Sequence, residues 1–184
     1  MSLVRAGDTA AYAELVEAYQ DRIYGLCLRM CGNASDAEDL AQEAFVRAYH
    51  SLSKFDGRAR FYTWLFRIAV NVSISERRKS ARRPLKLATD LAGADDGASA
   101  GLAMERAQGP QAEDHAVRRE ETEIVLAALA ELDEEQRCIV TLRDMQSLGY
   151  DEIAEVMDIP IGTVKSRLHR ARLALRNRLG RLLE

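Results

Sequence analysis

The sequence predicts an all-α protein: two small helical domains joined by a flexible linker. Apolar residues recur with a 3.6-residue period over most of the chain, and alternating β-branched runs are absent. Residues 88–113 break that pattern with Gly93, Gly97, Gly101, Gly109 and Pro110, many alanines and few large apolar side chains. Such a segment buries too little surface to offset the entropy of ordering it. The composition is nevertheless globular, at 184 residues with 47% hydrophobic and 30% charged side chains. That length suits one domain or two small ones, each with a modest core.

The first domain is expected over residues 1–83. Residues 10–19 and 21–31 read as two amphipathic helical segments, closed by Gly32-Asn33. Ser35 and Glu38, three positions apart, then form a capping box for the next helix. That helix offers Ala37, Leu40, Ala41, Ala44, Phe45 and Ala48 to a core and ends near Leu52. Phe55-Asp56-Gly57-Arg58 has the composition of a loop. Beyond it Phe61, Trp64, Leu65, Ile68 and Val72 line one face of a helix that runs into a basic cluster and is limited by Pro84.

The linker is expected over residues 84–113. Thirty unstructured residues have a mean span of about 30 Å and a stretched span of about 100 Å, so the two domains can sit far apart on one partner. The second domain, residues 114–184, starts with a helix from near Asp114 through Leu132. Asp133 and Gln136 form a further capping box, for a helix that carries Ile139, Val140 and Leu142. Ile153, Ala154 and Met157 then stripe a short helix that Pro160 stops. Val164, Leu168, Ala171, Leu175 and Leu179 recur at helical spacing in the last one. This is a helix-turn-helix, and from residue 163 to 180 its second helix carries no acidic residue, only Lys165, Arg167, Arg170, Arg172, Arg176 and Arg178. Such a helix can lie along duplex DNA. No internal repeat is present.

The formal net charge of -3 hides a strong segregation. Residues 76–87 hold Arg77, Arg78, Lys79, Arg82, Arg83 and Lys86 against Glu76 alone, whereas residues 88–137 hold thirteen carboxylates against four arginines. Two basic segments therefore flank an acidic middle. No apolar run approaches the roughly 20 residues needed to span a bilayer, and the N-terminus lacks a signal-peptide pattern, so a cytoplasmic protein with no membrane insertion is expected. Cys27, Cys31 and Cys138 are odd in number and sit in apolar helical surroundings, which suits buried thiols. The competing reading makes Cys27 and Cys31, four apart, a redox or zinc pair. His50, His115 and His169 show no spacing that completes four zinc ligands, and neither metal nor cofactor is expected.

A second nucleic-acid signature lies in the first domain. Phe55, Phe61, Tyr62, Trp64 and Phe66 interleave with Arg58, Arg60 and Arg67, and stacking faces beside cations suit unpaired bases. The simpler reading places the aromatics in the core; Trp64 and Phe66 favour it, whereas the loop from Phe55 to Phe61 favours function. Asp36, Asp39 and Glu43 follow helical spacing without a histidine or nucleophile nearby, which disfavours metal or acid-base chemistry. No catalytic residue is assigned.

Over nearly its whole length the chain resembles bacterial RNA polymerase sigma factors of the sigma-70 family, extracytoplasmic-function (group IV) type. The resemblance rests on three motifs in order: Asp-Ala-Glu-Asp-Leu-Ala-Gln-Glu-Ala-Phe-Val-Arg-Ala-Tyr at residues 36–49, Phe-Tyr-Thr-Trp-Leu-Phe-Arg-Ile-Ala-Val-Asn at 61–71, and Gly-Thr-Val-Lys-Ser-Arg-Leu at 162–168. It implies region 2 and region 4 domains and a transcription initiation factor, not an enzyme. The implied partners are core RNA polymerase, through its β′ clamp helices and β flap, promoter DNA, and an anti-sigma factor that occludes these docking surfaces.

The resemblance assigns roles to residues of this chain. Asp36, Asp39, Gln42 and Glu43 would dock on the clamp helices. Lys54, Phe55, Asp56, Arg58, Phe61 and Asn71 would melt and read the minus-10 element, with Arg77, Arg78 and Lys79 holding backbone phosphates. Lys165, Ser166, His169 and Arg170 would face the major groove of the minus-35 element. Gly162 and Thr163 would lie near phosphate at the helix start, and Arg167 and Arg172 would contact phosphates or support the packing. Gly149 stands where the family usually has a serine or threonine cap.

The rival readings are a response-regulator type of helix-turn-helix regulator, a nucleic-acid-processing enzyme and a protein-interaction bundle. The first needs an α/β receiver domain with a phospho-acceptor aspartate, which the N-terminal half does not display. In the family the linker threads near the polymerase active site and RNA exit path. Replacing Asp90, Asp95, Asp96, Glu105 and Glu113 with Asn or Gln is therefore expected to alter abortive synthesis or promoter escape. Unchanged transcript distributions would remove that role from the linker's charge.

Overall fold

The structure, a computed structural model, describes residues 9–82 and 111–183. The expected linker lies outside them except for its last three positions, so Asp90, Asp95, Asp96 and Glu105 have no structural account, nor does Pro84. All regular elements among the described residues are helical, as the 3.6-residue period predicts.

The first half contains α1 (Thr9–Cys31), α2 (Ala34–Ser51) and α3 (Phe61–Arg82). The two segments expected before Gly32 form the single helix α1. Nothing at Gln20-Asp21 breaks it, because both residues cost a helix only tenths of a kcal/mol. It buries Ile23, Leu26, Cys27 and Met30, one stripe at i, i+3, i+4 and i+7. Gly32 ends it in the left-handed region at φ 91°, donating its N–H to Leu28 O at 2.8 Å. The expected Ser35 capping box is not formed. Asn33 is the cap instead: its side-chain oxygen accepts from the Asp36 N–H at 2.8 Å while its amide donates to the Asp36 carboxylate at 2.7 Å. Asn caps at least as well as Ser, and at Asn33 the chain is already extended, which brings its side chain over the first turn.

Helix α2 buries Ala37, Leu40, Ala41, Ala44 and Ala48, with Phe45 half-buried. It passes into a 3-10 turn at Leu52–Lys54. Because its buried positions are mostly alanine, α2 can lie close against α1 and α3, both of which it contacts. Helix α3 buries Leu65, Phe66, Ala69, Val70 and Val72.

The second half contains α4 (Gln111–Ala130), α5 (Glu134–Val140), α6 (Tyr150–Met157) and α7 (Ile161–Leu182). Helix α4 starts three residues before the expected Asp114, since Gln111, Ala112 and Glu113 have no aversion to helix. Asp133 caps α5 by accepting from the Gln136 N–H at 2.8 Å, which realises that half of the expected box. A five-residue π turn, Thr141–Met145, follows α5 and makes the Gln146 N–H donate to Thr141 O at 3.0 Å. Nothing in the apolar pattern announces this turn.

The two halves share one apolar core. Its centre is polar: Arg137, 2% exposed, donates Nε to Leu129 O at 2.7 Å, Nη1 to Met30 O at 2.8 Å, and Nη2 to Ala130 O at 2.6 Å and Leu132 O at 3.1 Å. Met30 lies in the last turn of α1, and Leu129 and Ala130 in the last turn of α4. One guanidinium thus fills orphan carbonyls of two helix ends, where the helix dipoles are negative. Burial, reinforced by the nearby Arg77 charge, lowers its pKa to about 10, so it remains protonated at neutral pH.

A second polar contact joins α1 to the residue after the π turn. Arg22 donates Nη2 to Gln146 O at 2.9 Å and Nε to Gln146 Oε1 at 3.4 Å, and Gln146 Nε2 donates back to Arg22 O at 3.2 Å. Arg137→Met should therefore lower the free energy of unfolding by about 3 kcal/mol or more, because largely buried carbonyls lose a charged donor. A denaturant midpoint equal to that of the parent would show that the guanidinium is dispensable.

Candidate polymerase and nucleic-acid interfaces

Helix α2 faces outward with carboxylates. Asp36, Asp39, Gln42 and Glu43 are all exposed, on the side opposite the buried alanines. Asp36 is held by Asn33, and Glu43 accepts from Arg47 Nε at 2.6 Å. The same outward side also carries Val46 and Tyr49, 51% and 37% exposed. Tyr12 braces this end of α2, donating its hydroxyl to Phe45 O at 2.6 Å and packing its ring 5.1 Å from that of Tyr49. Burial raises the Tyr12 pKa to about 12. Charge spacing singles out the carboxylates but not Val46 or Tyr49, since an apolar residue on a helix is first read as core.

The loop before α3 is built on Gly57, whose φ of 79° favours glycine, and on Asp56, which accepts from the Arg58 N–H at 3.0 Å. Lys54, Asp56 and Arg58 are exposed. Phe55 is only 7% exposed and packs its ring 5.1 Å from Trp64 and 5.8 Å from Phe61. The expected aromatic set therefore divides: Phe66 and Phe55 are buried, whereas Phe61, Tyr62 and Trp64 are half-buried. Asn71 is exposed on α3, on the same face as Arg67 and Arg78 by helical spacing. Arg78 and Lys79 are exposed too, but Arg77 is half-buried, close enough to Arg137 to lower its pKa, and its Nη1 is buried without a partner.

In the helix-turn-helix, α6 buries Ile153 and Val156, with Met157 and Ala154 packed at the edge. Its N-cap is Gly149, whose N–H donates to the Glu152 carboxylate at 2.8 Å. Pro160 was expected to stop α6, yet the chain leaves the helix earlier, at Asp158, which sits at φ 54°, ψ 50°. Asp tolerates that conformation, and Ile159, preceding proline, is pushed away from helical angles. Pro160 then caps α7, its carbonyl accepting from the Thr163 N–H at 2.8 Å.

Helix α7 buries Val164, Leu168 and Ala171 against the body, and this sets the outward face. Lys165, Ser166, His169 and Arg170 are all exposed, grouped at i, i+1, i+4 and i+5. Gly162 has open space around it at the helix start, and Thr163 is half-buried. Arg167 pairs with Glu135 at 2.8 Å, and Arg172 forms a two-pronged contact with Asp144, Nε to Oδ2 at 3.0 Å. That contact raises the Arg172 pKa, the hydrogen bond to Asp144 being its main cause. Tyr150 presents its ring to both Arg143, at 4.8 Å, and Lys165, at 5.8 Å. Glu135, Asp144 and Tyr150 thus orient cations of α7, and their sequence separation hides them from a reading of spacing.

Other chemistry has little to build on. Among the described residues no group of three His, Cys, Asp or Glu side chains is placed to hold a metal ion, and no helix is long and apolar enough to cross a membrane. Cys27 and Cys138 are fully buried and Cys31 is partly so. Burial pushes the Cys27 and Cys138 pKa values up to about 12 and raises that of Cys31, so all three stay thiols rather than reactive thiolates at neutral pH.

The arrangement has known counterparts. Residues 15–83 match the family model of sigma-70 region 2, and residues 122–175 match that of sigma-70 region 4. The extracytoplasmic-function (ECF) RNA polymerase sigma factor SigW of Bacillus subtilis is 41% identical over 179 residues, covering 96% of this chain and 92% of that protein. The ECF RNA polymerase sigma-E factor of Escherichia coli is 38% identical over 180 residues, covering 98% and 92%. Among solved structures, CnrH in complex with the cytosolic domain of CnrY has the same fold, with a TM-score of 0.69 at 23% identity over 97% of this chain and 94% of that one. RpoE in complex with the anti-sigma factor NepR from Bartonella quintana gives 0.66 at 24% identity, over 94% and 96%. Regions 2 and 4 in order, over nearly the full length of sequences this similar, place the chain in the extracytoplasmic-function sigma factors of bacterial RNA polymerase.

Proposed function

We propose that this chain docks on core RNA polymerase through the outer face of α2, reads and opens the minus-10 element with α3 and the loop before it, and reads the minus-35 element with α7. The observation that carries this reading is the outward face of α7. Lys165, Ser166, His169 and Arg170 stand free of the core on the second helix of a helix-turn-helix, where a major groove would meet them. The carboxylates of α2 lie on a separate helix, so polymerase binding and minus-35 reading are separable. Relatives of this kind are sigma factors rather than enzymes, and the reaction belongs to the polymerase.

The working division is residues 1–83 for region 2, 84–113 for an acidic linker and 114–184 for region 4. Cytoplasmic residence follows from the polymerase partner. Control by an anti-sigma factor is supported by the solved relatives, whose structures contain CnrY or NepR.

Run-off transcription with core polymerase on a library of promoter fragments should give initiation that depends on this chain. No initiation on any template, together with no binding to core polymerase, would overturn the assignment. On a promoter so identified, Lys165→Ala and Arg170→Ala should each cost about 1–3 kcal/mol of promoter affinity and leave core binding intact. Equal loss of both activities would argue against a separate DNA role for α7.

A further inference from the structure

An open cleft of about 470 Å³ lies between α1 and the segment that follows the π turn. None of its lining residues belongs to the candidate polymerase or promoter faces. Arg22 and Arg29 enter it from α1. Arg22 donates to Gln146 O and Oε1, while Arg29 donates Nη1 to Gly25 O at 2.6 Å and Nε to the Met145 sulfur at 3.0 Å. Among the described residues these partners are carbonyls, an amide and a thioether rather than carboxylates. A thioether is a weak acceptor for a cation, and burial lowers the Arg29 pKa. Gly25 is what lets Arg29 lie there, because a Cβ on it would meet Arg29 Nη1 at 2.8 Å. Glycine weakens a helix interior, so α1 gives up stability at the point where the guanidinium folds back. That fold sets the Arg29 guanidinium at the level of Gly25, three residues or about 4.5 Å of helix from Arg22. Across the cleft, Ser147 is exposed at φ 59° and follows directly on the π turn and Gln146. Left-handed non-glycine residues and π turns both gather at functional sites.

We propose that this cleft binds a small phosphate-bearing anion, with a diphosphate group as the best match. The groups that line it offer mostly donors: two guanidinium forks, the Gln146 amide and the Ser147 hydroxyl. A ligand must therefore bring acceptors and negative charge. Each planar fork takes phosphate oxygens in pairs, and the two forks stand at two levels of one helix, so two linked phosphoryl groups use both where a single one leaves a fork unmatched. The anion replaces the Met145 thioether as the partner of Arg29 and offsets the desolvation of that cation. Asp21, exposed, is the one carboxylate among the lining residues. It opposes an anion, which gives the charge of the ligand a clear signature: removing Asp21 strengthens binding of an anion and weakens binding of a cation.

The test is isothermal titration calorimetry of the full chain with inorganic phosphate, pyrophosphate and GDP in low-salt buffer. Pyrophosphate should bind about tenfold more tightly than phosphate. GDP binding more tightly than pyrophosphate supports the site with a nucleotide as its ligand, and weaker GDP binding supports it with a free diphosphate. Arg29→Gln and Gly25→Ala should each weaken pyrophosphate binding about tenfold. Gly25→Ala does so by displacing a flexible guanidinium, and its denaturant midpoint should be no lower than the parent's, since alanine favours the helix. Asp21→Asn should tighten binding about threefold relative to Glu121→Gln, which makes the same change in net charge at an exposed position of α4. No binding of pyrophosphate by the parent at millimolar concentration would overturn the site. So would unchanged affinity in both Arg29→Gln and Gly25→Ala, or weaker binding in Asp21→Asn.

Discussion

The structure depends on one buried cation. Arg137 belongs to a helix of seven residues, too short to be stable by itself, and among the described residues its hydrogen-bond partners are carbonyls rather than carboxylates. Its partners are carbonyls at the ends of α1 and α4, groups that a helix always leaves without an internal acceptor role. Desolvating a guanidinium is costly, and what offsets it is the convergence of two helix C-termini on one planar donor set. The orientation of α5 follows from that convergence, and so does the position of the π turn that delivers Gln146 to Arg22. The apolar core supplies most of the driving force, but it has no direction of its own; the arginine makes the packing of the two halves specific.

Charge is used twice in this molecule. The excess of carboxylates over cations suggests a poor DNA binder, yet many of those carboxylates are spent holding arginines in place. Asp144 aligns Arg172, Glu135 aligns Arg167, and Glu131 meets both Arg178 and Arg181 at the end of α7. Exposed pairs of this kind add little stability, typically under about 1 kcal/mol each. Their effect is on geometry, since a guanidinium engaged in a weak pair keeps a fixed direction while much of its surface stays open.

The exposed placement of most candidate site residues is legible in the sequence. The α7 face was readable because a strict apolar stripe at Val164, Leu168 and Ala171 leaves no choice about where Lys165, Ser166, His169 and Arg170 point. The α2 carboxylates followed from the same logic. Phe55 was harder, because an aromatic next to a glycine loop suits both a stacking platform and a core, and only packing against Phe61 and Trp64 shows how deeply it sits. Arg77 was hidden likewise: it belongs to a basic run by sequence, while its environment is set by Arg137, 60 positions away.

The sequence by itself determined that the chain is helical, where its helices lie within a few residues, which faces are apolar, and which motifs tie it to sigma factors. These are local properties, written in periods of three and four and in short motifs. Tertiary structure decided the rest: Asn33 rather than Ser35 as the cap of α2, one helix where two segments were expected, the π turn after α5, and the docking of the two halves through Arg137 and Gln146. Each of these turns on a choice between near-equal local options, or on partners more than a hundred residues apart such as Arg22 with Gln146 and Met30 with Arg137. Spacing along a chain carries no information about such pairs, because their energy exists only once the core has brought them together.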